Sequence, residues 1–454
     1  MRLALVLPLT LLFACAHAAR PLPGRETFPP SLSRQLVTQE EWIALRHGLL
    51  LEMMRRHGVA MLIVVNEEFH ADPLAAYLVT PRPLAGNRDL FVFADAGPAG
   101  LKKFALTGYP EESLLRLFES PEEPSGQKEQ LQSIVRRLDP KNIALSIDPA
   151  APSRGVSRSL TRASYQFLAE ALGSALEQRF VPAAPLFEEL LDTRLPEERE
   201  TYLAMVKVTE ELTRRALSRE VIEPGRTTVG EIRRWLYDQL GARGFGTWFE
   251  PDLRVQRRGL ASDTSRGFLA VAKEAVVIER GDLVHLDFGL TLFGLNTDWQ
   301  KMAYVLLPGE SDVPAGIKAA LANTEALQDA MVQGARPGRL AAEVYDEAAA
   351  AMQARSAAEA LRGASPLEAQ IYSHPLGAQG HGLGAAIDSR AASRKEPPKT
   401  LRKGSYLAVE LSTKTSVPEW GGQGVSLMEE DPAELTDQGF KFFVPRQTEL
   451  YLIH

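Results

Sequence analysis

Four carboxylates interrupt apolar, strand-like runs late in the chain, and they constrain its fold more than any other feature. Asp287 sits inside GDLVHLDFG, and Asp298 opens the next run after a turn around Phe293-Gly294-Leu295. Glu410 lies in YLAVELS (406–412), and Glu429 ends an apolar run in GVSLMEED (424–431). Isolated carboxylates are rarely buried, because desolvating an unpaired charge is costly or forces protonation. One such acid reads most simply as a residue of a half-exposed strand facing water. Four together call for a shared cation, which reverses the penalty and holds them ionised. The Asp287 and Asp298 runs read as a hairpin that places both acids on neighbouring strands, facing the same side.

One histidine, His381, joins this set. In HPLGAQGHGLGAAID (374–388), His374 and His381 punctuate a glycine-rich loop whose backbone can approach a site closely. The chain has one cysteine, which excludes thiolate-rich zinc or iron–sulfur sites. An oxygen-rich set with imidazole suits manganese, cobalt or zinc. Four carboxylates exceed what one ion needs, so two divalent ions with bridging carboxylates are expected. Such a pair makes a bridging water acidic and polarises a carbonyl, which is the chemistry of amide or ester hydrolysis. No H-E-x-x-H helix or G-x-S-x-G elbow competes, and Gly380 and Gly382 lack the setting of a dinucleotide loop.

The rest of the chain frames this site. Arg2, an apolar run from Leu3 to Ala14 and Ala16-His17-Ala18 make a secretory signal peptide over residues 1–18. The run is too short to span a bilayer, and no other run approaches that length. A periplasmic or secreted protein without a transmembrane segment is expected. Leu12-Phe13-Ala14-Cys15 offers a lipoprotein signal as an alternative, which Phe13 fits badly. Residues 19–36 read as a Pro-rich linker or extended arm. A helix then precedes the strand VAMLIVV (59–65), and LFVFAD (90–95) and NIALSID (142–148) read as further strands. Between them Gly126 to Leu138 and Ser159 to Leu172 have helical character. Strands alternating with helices predict an α/β domain over 37–188, without a phosphate loop. The turn-rich stretch 180–198 leads into a second domain, 189–454. A net charge of −7 leaves no basic field for nucleic acid.

A weak repeat runs through the second domain. Thr209-Glu210-Glu211-Leu212 is followed by Pro224-Gly225-Arg226, and Thr324-Glu325-Ala326-Leu327 by Pro337-Gly338-Arg339. Each copy reads as helix, Pro-Gly turn and second helix, with Thr228 and Glu231 forming a capping box in the first.

The order Asp287, Asp298, His381, Glu410, Glu429 resembles the pita-bread-fold metallopeptidases: aminopeptidase P, prolidase, creatinase and, more distantly, methionine aminopeptidase. The resemblance covers nearly all of the chain after the signal. It implies a creatinase-type amino-terminal α/β domain before a pseudo-symmetric pita-bread domain of α+β type, whose halves would explain the repeat. By that likeness Asp287 binds one ion, His381 and Glu410 the other, and Asp298 and Glu429 bridge. Glu410 also relays protons, and His374 steadies the tetrahedral intermediate. The implied activity is removal of the amino-terminal residue of a small peptide, ahead of proline, by hydroxide bridging two divalent ions, manganese foremost. A homodimer is the family's habit. The chain departs from the family at Asp298-Trp299-Gln300-Lys301, where Asp-x-Thr-Arg is usual, and at Leu427, where Arg is frequent. Asp388 stands where relatives often place another His, and Arg254, Arg257 and Arg258 where close relatives have a substrate-facing one. These changes keep open two other readings, a peptide-binding module without turnover and a non-peptidase amide hydrolase.

Overall fold

The computed structural model describes residues 28–454 except 73, 82–84, 109–110, 120–125, 148–159, 262, 265–268, 362–364, 379 and 394–396. The signal-peptide reading of residues 1–18 falls outside the described residues. The arm expected up to residue 36 gives way to helix sooner. Ser31 caps α1 (Leu32–Arg56) by accepting from the Arg34 N–H at 3.4 Å, so the RQL at the end of that stretch is helical.

Helix α1 leads into β1 (Met61–Glu67), α2 (Ala75–Leu78), β2 (Arg88–Asp95) and β3 (Leu101–Leu106). Then come α3 (Glu112–Leu117), α4 (Gln127–Leu138), β4 (Ile143–Leu145), α5 (Arg162–Leu172), α6 (Ser174–Glu177), β5 (Phe180–Pro182) and α7 (Ala184–Asp192). The strands form one sheet in the order β3-β2-β1-β4-β5, with β1, β4 and β5 mutually parallel. Strand β1 is continuously apolar because both of its faces are covered. Leu62 and Val64 pack with Leu50 and Met53 of α1 and Leu186 and Leu190 of α7. Met61, Ile63 and Val65 face Leu131 and Ile134 of α4 and Leu168 of α5.

The remainder begins with α8 (Glu198–Ala216), α9 (Val229–Arg243), β6 (Asp252–Gln256), β7 (Leu283–Asp287), the short hairpin β8 (Thr291–Leu292) and β9 (Leu295–Asn296), and β10 (Gln300–Val305). It continues with α10 (Ala315–Gly334), α11 (Ala341–Ala360), β11 (Glu368–Leu376), β12 (Ile387–Asp388) and α12 (Ser389–Ala392). Strands β13 (Tyr406–Val417), β14 (Gln423–Thr436), β15 (Gly439–Phe442) and β16 (Tyr451–Ile453) close it. Nine of these strands make a second sheet with the path β12-β11-β13-β14-β10-β7-β6, to which β15 and β16 add at β14 and β10.

The repeat is physical. The Pro-Gly turns join α8 to α9 and α10 to α11, and the Thr228–Glu231 capping box is present. The repeat threonines do equivalent work in each half. Thr209 Oγ1 donates to the Met205 carbonyl and meets Thr297 Oγ1 at 2.8 Å, while Thr324 Oγ1 donates to the Ala320 carbonyl and meets Thr413 Oγ1 at 2.7 Å. Thr297 lies just before Asp298 and Thr413 on β13 with Glu410, so each hydroxyl pair ties the first helix of its copy to a segment that carries a site residue.

The two sheets meet along α1 and the segment after α7. Trp42 packs against Phe293 with centroids 5.5 Å apart. Arg46 pairs with the fully buried Glu198 and lies over the Tyr77 ring at 3.7 Å. Arg194 packs so tightly on Gly377 that a Cβ there would lie 2.5 Å from the guanidinium. The first half of the chain thus buttresses the end of β11. His374, read from the sequence as part of a loop with His381, lies on that strand, paired with Ala408 of β13, and only His381 is on the loop that follows. No helix among the described residues is long and apolar enough to cross a membrane.

Candidate metal centre

Antiparallel pairing aligns a single row across five adjacent strands. Asp252 on β6 stands opposite Asp287 on β7, Asp287 opposite Gln300 on β10, Gln300 opposite Glu430 on β14, and Glu430 opposite Glu410 on β13. Directly opposed residues share a face of the sheet, so four acids and one amide line the same surface. The expected hairpin between Asp287 and Asp298 is more elaborate than two strands and a turn. Strands β7 and β10 do pair, but β8 and β9 intervene, and Asp298 precedes β10 rather than lying within it.

Of the residues singled out in the sequence, the fold gathers Asp287, Asp298, His374, His381 and Glu410. Three overlapping groups have ligand atoms within 4.8 Å of one another: Asp298 with His374 and His381, His374 with Glu410 and Glu430, and Asp287 with Asp298 and Glu430. His374 Nε2 lies 3.5 Å from Asp298 Oδ2, 3.5 Å from Glu430 Oε1 and 3.8 Å from Glu410 Oε2. The two imidazoles meet edge to face with centroids 4.6 Å apart, and His381 reaches the solvent-facing side.

Glu429 does not belong to this group; Glu430 takes the place expected for it. Glu429 pairs with Leu411, one step out of phase with the Glu410–Glu430 pair, and successive strand residues point to opposite faces. Its carboxylate is buried behind the sheet near the charges of Lys301, Asp431, Glu325 and Arg446, and burial pushes it up to about 8.

The two substituted positions after Asp298 have structural work. Lys301 is fully buried, donating to Asp431 Oδ1 at 2.6 Å and to the Glu430 carbonyl at 2.9 Å, which holds β14 in phase. Gln300 donates to Glu410 and Glu430. Asp388 takes no place among the acids; it caps α12 by accepting from the Arg390 and Ala391 N–H groups, each at 2.9 Å. Arg254 donates to Asp252 at 2.6 Å, and Arg257 clasps Asp282 at 2.6 and 2.7 Å.

The electrostatics are those of a site built around positive charge. Burial, then the charge of Glu430, raises Asp287 and Asp298 far above the carboxylate range. The same two causes raise Glu410 to about 7. Burial pulls His374 down, but hydrogen bonding and charge from Glu430 outweigh it and hold the imidazole above its ordinary value. Asp287 Oδ1 is buried without a hydrogen-bond partner, and Glu430 Oε1 has no donor nearer than His374 Nε2 at 3.5 Å. Buried acceptors left in this state are costly, and a divalent ion satisfies several at once. The donor set of carboxylate oxygens and imidazole nitrogens fits a divalent ion of the manganese–cobalt–zinc type.

Sequence reasoning missed Glu430, Asp252, Gln300 and His285. For His285 a signal existed: it stands two residues before Asp287 and so shares its face. Trp248 was missed as well. Its ring meets His381 edge to face at 5.2 Å and Phe249 at 4.5 Å, making an aromatic border beside the histidine loop.

A sequence model of metallopeptidase family M24 matches residues 200–431. Among solved structures, the X-Pro aminopeptidase of Thermotoga maritima superposes with a TM-score of 0.62 at 17% identity, covering 88% of this chain and 99% of its own. A putative aminopeptidase P from Bacillus anthracis gives 0.63 at 14% identity, covering 90% and 96%. The prolidase of Pyrococcus horikoshii gives 0.58 at 16%, covering 89% and 99%. No curated protein sequence matches the chain. The fold is that of these enzymes, a creatinase-type α/β domain followed by a pita-bread domain. The chain belongs to metallopeptidase family M24, the metal-dependent peptidases.

Proposed function

We propose that this protein is an exopeptidase that hydrolyses the amino-terminal peptide bond of peptides with proline in the second position, using two divalent cations. The observation that carries this reading is the convergence of Asp287, Asp298, His381, Glu410 and Glu430, with His374 among them, from segments far apart in the chain. The neighbours titled X-Pro aminopeptidase and prolidase support the substrate class. Asp287, Asp298, His381, Glu410 and Glu430 would hold the ions, Glu430 replacing the Glu429 of the sequence-based reading. When bound, a pair of divalent ions supplies Lewis acidity toward a carbonyl and makes water acidic enough to attack near neutral pH.

The chain's own groups supply the rest. Glu410, with one oxygen held by the Gln300 amide and the other 3.8 Å from His374, is placed to take a proton from water and return it. His374, 3.5 Å from Asp298 and Glu430 and 3.8 Å from Glu410, is placed to stabilise negative charge developing on the attacked carbonyl oxygen. Trp248 and Phe249 give the histidine side of the site an apolar wall for a substrate side chain. Reading residues 1–18 as a signal peptide makes the enzyme periplasmic or secreted, which cell fractionation checks.

The test is a panel of Xaa-Pro dipeptides, longer Xaa-Pro peptides and small amides. It is run on chelator-stripped protein and again after adding manganese, cobalt or zinc. Metal-dependent release of the amino-terminal residue ahead of proline is expected. Turnover of small amides alone, or of nothing with any metal, overturns the assignment.

A further inference from the structure

Gln300 occupies the centre of the five-strand row, the one neutral side chain between pairs of acids: Asp252 and Asp287 on one side, Glu430 and Glu410 on the other. It is buried, and its amide nitrogen donates to Glu410 Oε1 at 2.7 Å and to Glu430 Oε2 at 3.0 Å. Each carboxylate therefore has one oxygen tied to Gln300 and the other turned toward the His374 side. Those second oxygens, Glu410 Oε2 and Glu430 Oε1, lie 3.8 and 3.5 Å from His374 Nε2.

The orientation of this amide is not arbitrary. Its oxygen lies 3.0 Å from Nε2 of the fully buried His285. With the opposite orientation the amide oxygen would face two carboxylate oxygens, and both contacts would be repulsive. The arrangement that satisfies both ends of the amide has His285 Nε2–H donating to Gln300 Oε1, which sends the amide protons to the two acids. A histidine held on one strand thus fixes an amide on the next, and the amide fixes carboxylates on two more.

We propose that Gln300 is a positioning residue of the metal centre, sorting the oxygens of Glu410 and Glu430 between hydrogen bonding and cation binding, with His285 locking its amide. This rests on reading the site as a divalent-cation centre. Groups that orient metal ligands in this way typically carry a ~10–100-fold effect on metal affinity. A thiol-free, oxygen-rich site offers few other means of holding two opposed carboxylates apart before the ions arrive.

The experiment is calorimetric titration of chelator-stripped, full-length protein with Mn2+ or Co2+, without any substrate. Gln300→Met keeps the volume and removes both donors, and is expected to weaken binding by ~10–100-fold. His285→Phe keeps a ring and removes the donor, and is expected to weaken it by about tenfold, the lower end of that range. Because His285 acts through Gln300, the double variant should bind no more weakly than Gln300→Met alone. Binding by Gln300→Met within twofold of the parent, or a His285→Phe effect that persists in full beside Gln300→Met, overturns the proposal. Should Gln300→Met fail to fold, His285→Phe decides by the same titration, and unchanged affinity overturns it. A parent protein that binds neither ion refutes the cation centre itself, an outcome distinct from a parent that binds and a Gln300→Met that binds equally well.

Discussion

Glu410 and Glu430 stand directly opposite one another on neighbouring antiparallel strands, and Glu429, one residue away, lies on the other face of the sheet. This phase separates two adjacent acids by function. Glu430→Gln is expected to lose bound metal and lower kcat/KM at least ~100-fold, as for removal of a group the reaction depends on. Glu429→Gln, an isostere of a protonated acid behind the sheet, is expected to keep both. Elemental analysis of each purified variant beside its peptidase rate checks the pair; the reverse outcome would place Glu429 at the metal.

The Lys301–Asp431 pair lies behind the same strand, with both side chains about 1% exposed. Removing one partner of a buried pair strands a charge and costs ~3–5 kcal/mol. Lys301→Met should therefore destabilise by about that amount, and Lys301→Met with Asp431→Leu should recover most of it. Denaturant unfolding of the single and double variants measures this; an additive loss in the double would show that the pair is not the source.

Acid sensitivity should come from His47, far from the metal. Burial, then the charge of Lys103, lowers it from 6.5 to about 4, and its Nε2 lies 2.6 Å from the Leu78 carbonyl. The folded state thus favours the neutral ring, and its contribution is complete above pH 6.5. It is lost as the pH falls toward 4, where the unfolded chain binds a proton the folded one resists. The full effect is about 3 kcal/mol. His47→Gln keeps a donor for Leu78 and does not titrate, so its unfolding free energy between pH 6.5 and 4 should fall less steeply than the parent's. Identical slopes would rule His47 out.

Gly380 tests the aromatic border. A Cβ at this position would lie 2.3–2.4 Å from ring atoms of Trp248, whose Nε1 donates to the Thr297 carbonyl at 2.9 Å, next to Asp298. Gly380→Ala must displace the indole or the His381 loop, and overpacking of this kind costs ~1–3 kcal/mol. We expect kcat/KM to drop about tenfold, equivalent to roughly 1.4 kcal/mol, with circular dichroism unchanged. Parent-like kinetics would contradict the tight packing.

The sequence was readable where the chemistry was local. Strand β1 announced itself through continuous apolar residues, and the capping box at Thr228 through its spacing. Asp287, Asp298, Glu410 and the two histidines stood out because acids and imidazoles are conspicuous in apolar or glycine-rich surroundings. Glu430 did not, because Glu429, Glu430 and Asp431 are consecutive and their phase is set by pairing with β13. That pairing is a long-range property, as is the row that recruits Asp252 from a strand, DLRVQ, too polar to be recognised as one. The cap at Asp388 and the amide at Gln300 were visible only as departures from a pattern; their partners lie on elements whose placement the sequence alone does not fix.

The run of three acids in β14 carries an asymmetry of its own. If the strand slid by one residue in either direction, a carboxylate would still arrive at the site, Asp431 one way or Glu429 the other. Sliding so that Asp431 arrives would set Pro432 against the buried ammonium of Lys301, which could not go unanswered. Sliding the other way would offer that ammonium Glu430 and drop Met428 into the place of Glu429. Either slide would also turn Val425, Leu427, Ala433 and Leu435 out of the core and bring Ser426 and Glu434 in, so a buried ammonium guards one direction and the apolar face of the strand guards both.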